Sequence, residues 1–65
     1  MILSGVRGNL VKVDKNDGTL TIKKQNGEHE YPIEDKMNAY KFENMVGKEV
    51  NIRLYDYYVV ELELA

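Results

Sequence analysis

"GTLTIKKQNGEHEYPI", residues 18–33, sets two runs of alternating apolar and polar residues on either side of Asn26-Gly27. A period of two puts every second side chain on one face of an extended strand. Asn-Gly between two such runs is the strongest short hairpin signal, because a type I′ turn needs positive φ at both central residues. Pairing Gln25 with Glu28 sets Ile22 opposite Tyr31 and Leu20 opposite Ile33, so the apolar sides agree. The same register sets Lys23 opposite Glu30, a cross-strand pair worth ~0.5 kcal/mol.

Working upstream, a four-residue loop, Lys15 to Gly18, places Val13 against Leu20 and Val11 against Ile22. Downstream the alternation breaks in "EDKMNAYKFENMVG", residues 34–47, which contains good helix formers. Asp35 is placed to cap a short helix and Gly47 to stop it, with Met37, Tyr40, Phe42 and Met45 facing the sheet. Alternation resumes through Val50, Ile52 and Leu54 and again through Val60, Leu62 and Leu64. The expectation is a mainly β chain, one domain over 1–65: a small five-stranded antiparallel barrel with a short helix between strands 3 and 4. That element order resembles the OB-fold, a partly open barrel, with an SH3-like barrel as the rival.

The last hairpin turns on "LYDYYVV", residues 54–60. A two-residue loop at Asp56-Tyr57 would set Ile52 opposite Glu61 and Val50 opposite Glu63, burying acids or exposing aliphatics. A three-residue loop, Tyr55 to Tyr57, instead pairs Leu54 with Tyr58, Ile52 with Val60 and Val50 with Leu62. Tyr58 and Tyr31 then join the core, while Val59 stands exposed near Arg53 and Glu49 lies opposite Glu63. Such loops usually end in a left-handed glycine, and holding Tyr57 there costs about 1 kcal/mol. A five-residue loop satisfies the same register without that strain. Tyr55 and Tyr57 either contact a partner or lie flat over the barrel rim.

At 65 residues with no cysteine, the chain has neither a disulfide framework nor a thiolate metal site, and a stability of roughly 3–5 kcal/mol is expected. Its 43% hydrophobic and 31% charged residues lie in the ordinary globular range. The apolar start Met1-Ile2-Leu3 is cut off by Ser4-Gly5, too short for a signal segment or a membrane span. A soluble, cytoplasmic protein with no membrane association is expected. Net charge is −2, but the distribution is uneven. Arg7, Lys12, Lys15, Lys23 and Lys24 precede Asn26 against Asp14 and Asp17, whereas nine acids face four bases beyond Gln25.

The chemistry-bearing patterns are weak. "DKNDG", residues 14–18, is similar to the start of a calcium loop but places Thr19 where glycine is needed and Gln25 where glutamate is needed. In "EHE", residues 28–30, strand geometry turns His29 away from Glu28 and Glu30. "VGK", residues 46–48, lacks the glycine spacing of a phosphate loop. One histidine, one serine and carboxylates on polar faces supply no nucleophile with a base in reach. No catalytic residue, metal or cofactor is assigned.

In length and strand layout, "GNLVKVDKNDGTLTI" and "VGKEVNIRL" resemble the cold-shock proteins. That resemblance implies a barrel of OB type. The family binds single strands through aromatic-rich segments on its second and third strands, and "TLTIKK" and "EHEYPI" stand in their place here, so those binding residues do not carry over. Two functions follow as expectations. In the first, a non-enzymatic module binds a protein partner, or a second copy of itself, through Tyr55, Asp56, Tyr57, Arg53, Val59 and Glu61, with Glu49 and Glu63 adding acidic charge. In the second, Arg7, Lys12, Lys15, Lys23 and Lys24 bind single-stranded nucleic acid weakly, with Arg7, Leu10, Lys12, Thr21 and Lys23 on the outward face of the first two strands and Tyr55 or Tyr57 stacking at the rim.

Overall fold

Five strands and a pair of short helical turns follow the order that the alternation predicts. The computed structural model describes residues 3–65; Met1 and Ile2, the start of the apolar run, lie outside the described residues. The strands are β1 (Leu3–Asp14), β2 (Thr19–Lys24), β3 (Gly27–Pro32), β4 (Glu49–Tyr55) and β5 (Tyr58–Leu64). Between β3 and β4 lie α1 (Asn38–Phe42) and a 3₁₀ turn at Glu43–Met45. All five strands join one antiparallel sheet in the order β3-β2-β1-β4-β5.

The long first strand organises the sheet. Leu3 to Asn9 pair with β4, and Asn9 to Asp14 pair with β2, so Asn9 belongs to both ladders. Where the partner changes, the chain must bend. An added Cβ on Gly8 would lie 2.6 Å from Ile22 Cγ2 and 2.8 Å from Lys23 O, so only glycine lets β2 approach. A bulge follows: Leu10 pairs with Ile22 and Lys12 with Thr21, leaving Val11 as the extra residue. The carbonyl of Leu10 accepts from Gly47 N–H at 2.7 Å, and its N–H donates to Lys48 O at 2.9 Å. Leu10 is therefore buried and Val11 is 40% exposed, the reverse of the expected facing.

The β2–β3 hairpin forms, but with its register displaced by two residues. Lys24 pairs with Gly27, Ile22 with His29 and Leu20 with Tyr31, so Lys23 meets Glu28 and Glu30 meets Thr21. Asn26 does not take positive φ; Gly27 does, at +119°. Gln25 and Asn26 make the turn while glycine takes the special backbone position after it, as in a bulged three-residue loop. A displacement of two preserves the facing of every side chain. The β1–β2 loop over 15–18 is as predicted, with Asp14 against Thr19 and Val13 against Leu20.

On one face the core gathers Leu10, Leu20, Ile22, Ile33, Val50, Ile52, Leu54, Val59 and Leu62, with Ala39 and Phe42 from the helix and Met45 packed beside them. A helix this short offers one i, i+3 pair to the sheet, and it is Ala39 and Phe42. Met37 and Tyr40, expected to face inward, are exposed. Asp35 Oδ1 accepts from Met37 N–H at 3.0 Å, holding the turn before the helix, while Met37 occupies the cap position without a side-chain bond. Gly47, at φ +92°, ends the helical segment as expected.

Laid flat, five strands would hold β3 and β5 roughly 19 Å apart. Instead Ile33 and Val59 form an isolated parallel bridge, and Glu34 N–H donates to Val59 O at 3.0 Å. The sheet is thus strongly curled around its core. It is not closed, because β3 and β5 share no ladder beyond that bridge. Among the described residues no helix is long and apolar enough to cross a membrane.

Candidate binding surface

The β4–β5 hairpin departs from the expected three-residue loop. Tyr55 pairs directly with Tyr58, and Asp56 and Tyr57 form a two-residue turn with φ of 50° and 72°. Positive φ at both central residues is the type I′ pattern. A bulge makes this register workable: Leu54 pairs with Val59 and Arg53 with Glu61, leaving Val60 as the extra residue. Beyond it Ile52 meets Leu62 and Val50 meets Leu64, so the glutamates stay outside. Neither partner of a non-glycine type I′ turn is at ease, and the left-handed conformation costs on the order of 1 kcal/mol at Tyr57.

Three expected placements change as a result. Val59 is fully buried and lies behind the surface to which it was assigned. Tyr58, expected in the core, is 49% exposed. Glu49 does not face Glu63; Asn51 does, and Glu49 instead takes Arg7, with Nε–Oε2 at 3.3 Å and Nη2–Oε1 at 3.4 Å. Leu10, assigned to the basic outward face, is in the core.

The remaining tyrosine-loop residues come together. Leu3 pairs with Tyr55 across β1 and β4, and Tyr55 with Tyr58 across β4 and β5, so the three stand in one cross-strand row on the outer face. Leu3 is 68% exposed, and Tyr57, at the adjoining turn, 63%. Leu3 leaves no local signal in the sequence because its partner Tyr55 lies at the other end of the chain, and Tyr58 is expected in the core because the bulge at Val60 leaves none either. Below that row come Gly5, Arg53 and Glu61, then Arg7, Asn51 and Glu63. Gly5 carries no side chain, and a groove of about 720 Å³ opens there, lined by Leu3, Arg7, Arg53, Glu61 and Glu63 among others. Arg53 Nη1 lies 3.6 Å from Glu61 Oε2, an exposed pair worth about 0–1 kcal/mol.

The basic residues are more dispersed. Arg7, Lys23 and Lys24 line a second groove with Asn9, Asn26 and Glu49. Lys12 is exposed beside Thr21, and Lys23 is exposed opposite Glu28. Lys15 is drawn away to the helix, 3.2 Å from Glu43 Oε2 and 5.3 Å from the centre of the Tyr40 ring. His29 is half-buried with Nε2 3.2 Å from Asn26 Oδ1, while Glu28 and Glu30 are exposed. Among the described residues no group of three potential ligands could hold a metal ion.

Comparison with protein-family models, with curated proteins and with solved structures gives no match.

Proposed function

We propose that this chain is a non-enzymatic interaction module of OB-like layout that binds a protein through the outer face of β4 and β5. The central place of β1, the helical segment between strands 3 and 4 and the parallel meeting of Ile33 with Val59 support the OB-like reading. The observation that carries the function is the cross-strand row Leu3, Tyr55 and Tyr58, exposed at Leu3 and Tyr58 and half-buried at Tyr55, with exposed Tyr57 beside it. Contiguous exposed apolar surface marks interaction sites. Tyrosine adds large contact area with only two rotatable side-chain bonds to order on binding. Arg53, Asp56, Glu61 and Glu63 would surround that patch with charge, the arrangement of a hot spot inside a polar rim.

The test is capture from a lysate of the source cells on immobilised protein, with parent and Tyr57→Ser/Tyr58→Ser side by side. Both side chains are exposed, so the variant should retain its melting temperature and lose the captured band. Equal capture by both proteins would refute the reading.

A second reading rests on the groove lined by Arg7, Lys23 and Lys24, which supports weak, salt-sensitive binding of single-stranded nucleic acid. Amide shifts with a mixed-sequence oligonucleotide that survive Lys12→Glu/Lys23→Glu would exclude it.

A further inference from the structure

We propose that the free edge of β5, Glu61 to Leu64, accepts an extended peptide strand in which lysine or arginine alternates with apolar residues. This rests on the interaction-module reading and specifies the partner's chemistry. Ala65 N–H donates to Glu49 O at 3.0 Å. In an antiparallel ladder the residues that bond their partner alternate with residues that point away. Leu64 and Leu62 therefore turn their backbone N–H and C=O outward from β4. Only β4 pairs with this strand beyond Val59, and among the described residues no other backbone bond reaches Leu62 or Leu64. The edge is open for strand addition.

Its two faces select the occupant. On the inner side, Leu62 is nearly covered but Leu64 is 51% exposed, so the apolar row ends unfinished. On the outer side stand Glu61 and Glu63; Glu61 has Arg53, and Glu63 lies opposite the uncharged Asn51 with no ion pair among the described residues. An added strand would set its alternate residues beside these two rows. Apolar residues would extend the cover over Leu64, and cations would meet the glutamates.

A second copy is the poorer occupant. The other free edge, β3, carries Glu28 and Glu30 on its outer side. Joining β5 to β5, or β5 to β3, would place glutamate beside glutamate, and like charges directly across a ladder repel. Charged edges of this kind are how sheets avoid pairing with themselves. The inner side of β3 also presents His29 and Tyr31 rather than leucines, so β5 is the edge that suits an alternating apolar strand.

The probe is an N-acetylated, C-amidated octapeptide of alternating lysine and valine, added to isotope-labelled full-length protein, with a glutamate–valine octapeptide as counterpart. Saturable amide shifts should centre on Glu61 to Ala65. At ten times the measured Kd, exchange of the Leu62 and Leu64 amides should slow about tenfold. In Glu61→Lys/Glu63→Lys the preference should reverse toward the glutamate–valine peptide, with the unliganded amide spectrum reporting that the variant is folded. Absence of shifts, shifts centred on β3 or the tyrosine turn, or an unchanged preference in the charge-reversed variant would overturn the proposal. Tyrosine-dependent capture alongside such a failure would remove the edge alone; loss of both would remove the module reading itself.

Discussion

Tyr55 and Tyr58 face each other across the outer side of the β4–β5 hairpin, joined by two left-handed residues, neither of them glycine. A turn that glycine would close at lower cost has instead been given an aspartate and a tyrosine. The ring of Tyr57 stands in solvent and offers little packing in return. Left-handed strain at an exposed residue supports the proposal that the Tyr57 side chain serves something outside the fold.

Replacing Tyr57 with glycine should therefore stabilise the protein. It relieves about 1–2 kcal/mol of left-handed strain against about 0.5–1 kcal/mol of added chain entropy. A rise of roughly 0.5–1 kcal/mol in urea unfolding is expected, together with weaker partner capture. Tyr57→Val should destabilise, because β-branched residues rarely adopt positive φ. A destabilised glycine variant would show that the ring supports the fold.

Gly8 and Gly5 lie on the same strand and should respond oppositely to alanine. At Gly8 the new methyl would meet Ile22 Cγ2 and the Lys23 carbonyl inside 3 Å; a loss of about 1–3 kcal/mol follows from such overpacking. At Gly5 the nearest atom is Ile52 O at 3.7 Å, an ordinary contact. Chemical denaturation of the two variants should separate them clearly.

Leu10 and Val11 test the bulge. Leu10→Ala should cost about 2–5 kcal/mol, enough to unfold much of a chain this small. Val11→Thr, at an exposed position, should stay within about 0.5 kcal/mol. The reverse outcome would restore the unbulged register, with Val11 opposite Ile22.

Asp14 should confer acid sensitivity. Its carboxylate accepts from Asp17 N–H at 3.0 Å and Asn16 N–H at 2.9 Å. The Asp17 bond is the main cause that holds its pKa below the ordinary value; the Asn16 bond and the charges of Lys12 and Lys36 act the same way, against partial desolvation. The folded state thus binds this proton more weakly than the unfolded chain. The stabilisation is complete above the unfolded-state pKa and is lost as pH falls through the lower folded value. Asp14→Ala should be less stable than the parent at about pH 6 and should approach it near pH 2. A constant difference across that range would exclude the carboxylate charge as the cause.

Strand existence, the choice of faces in β2 and β4 and the helical break were legible from the residues themselves, because they depend on local period and turn chemistry. Leu20, Ile22, Val50, Ile52 and Leu54 alternate with polar neighbours and are all buried. The Asn26-Gly27 signal located a hairpin yet missed its register by two residues, an error the pleat conceals because it leaves every facing intact. Rejecting the two-residue turn at Asp56-Tyr57 failed for another reason. The objection that Ile52 would face Glu61 holds for a regular ladder, and the extra residue at Val60 removes it.

The alternating residues of this sequence determined that it would form a sheet with one apolar face and acids along its later strands. Only the tertiary structure decided where that sheet bends. β1 must serve β2 and β4 together, which requires Gly8 and the bulge at Val11, and the curl that brings Val59 to Ile33 is accompanied by the bulge at Val60. Each bulge reverses the facing of the residues beyond it, so burial of Leu10 and Val59 and exposure of Tyr58 depend on long-range curvature. Local periodicity carries no record of that curvature, because the contacts that impose it join residues far apart in the chain.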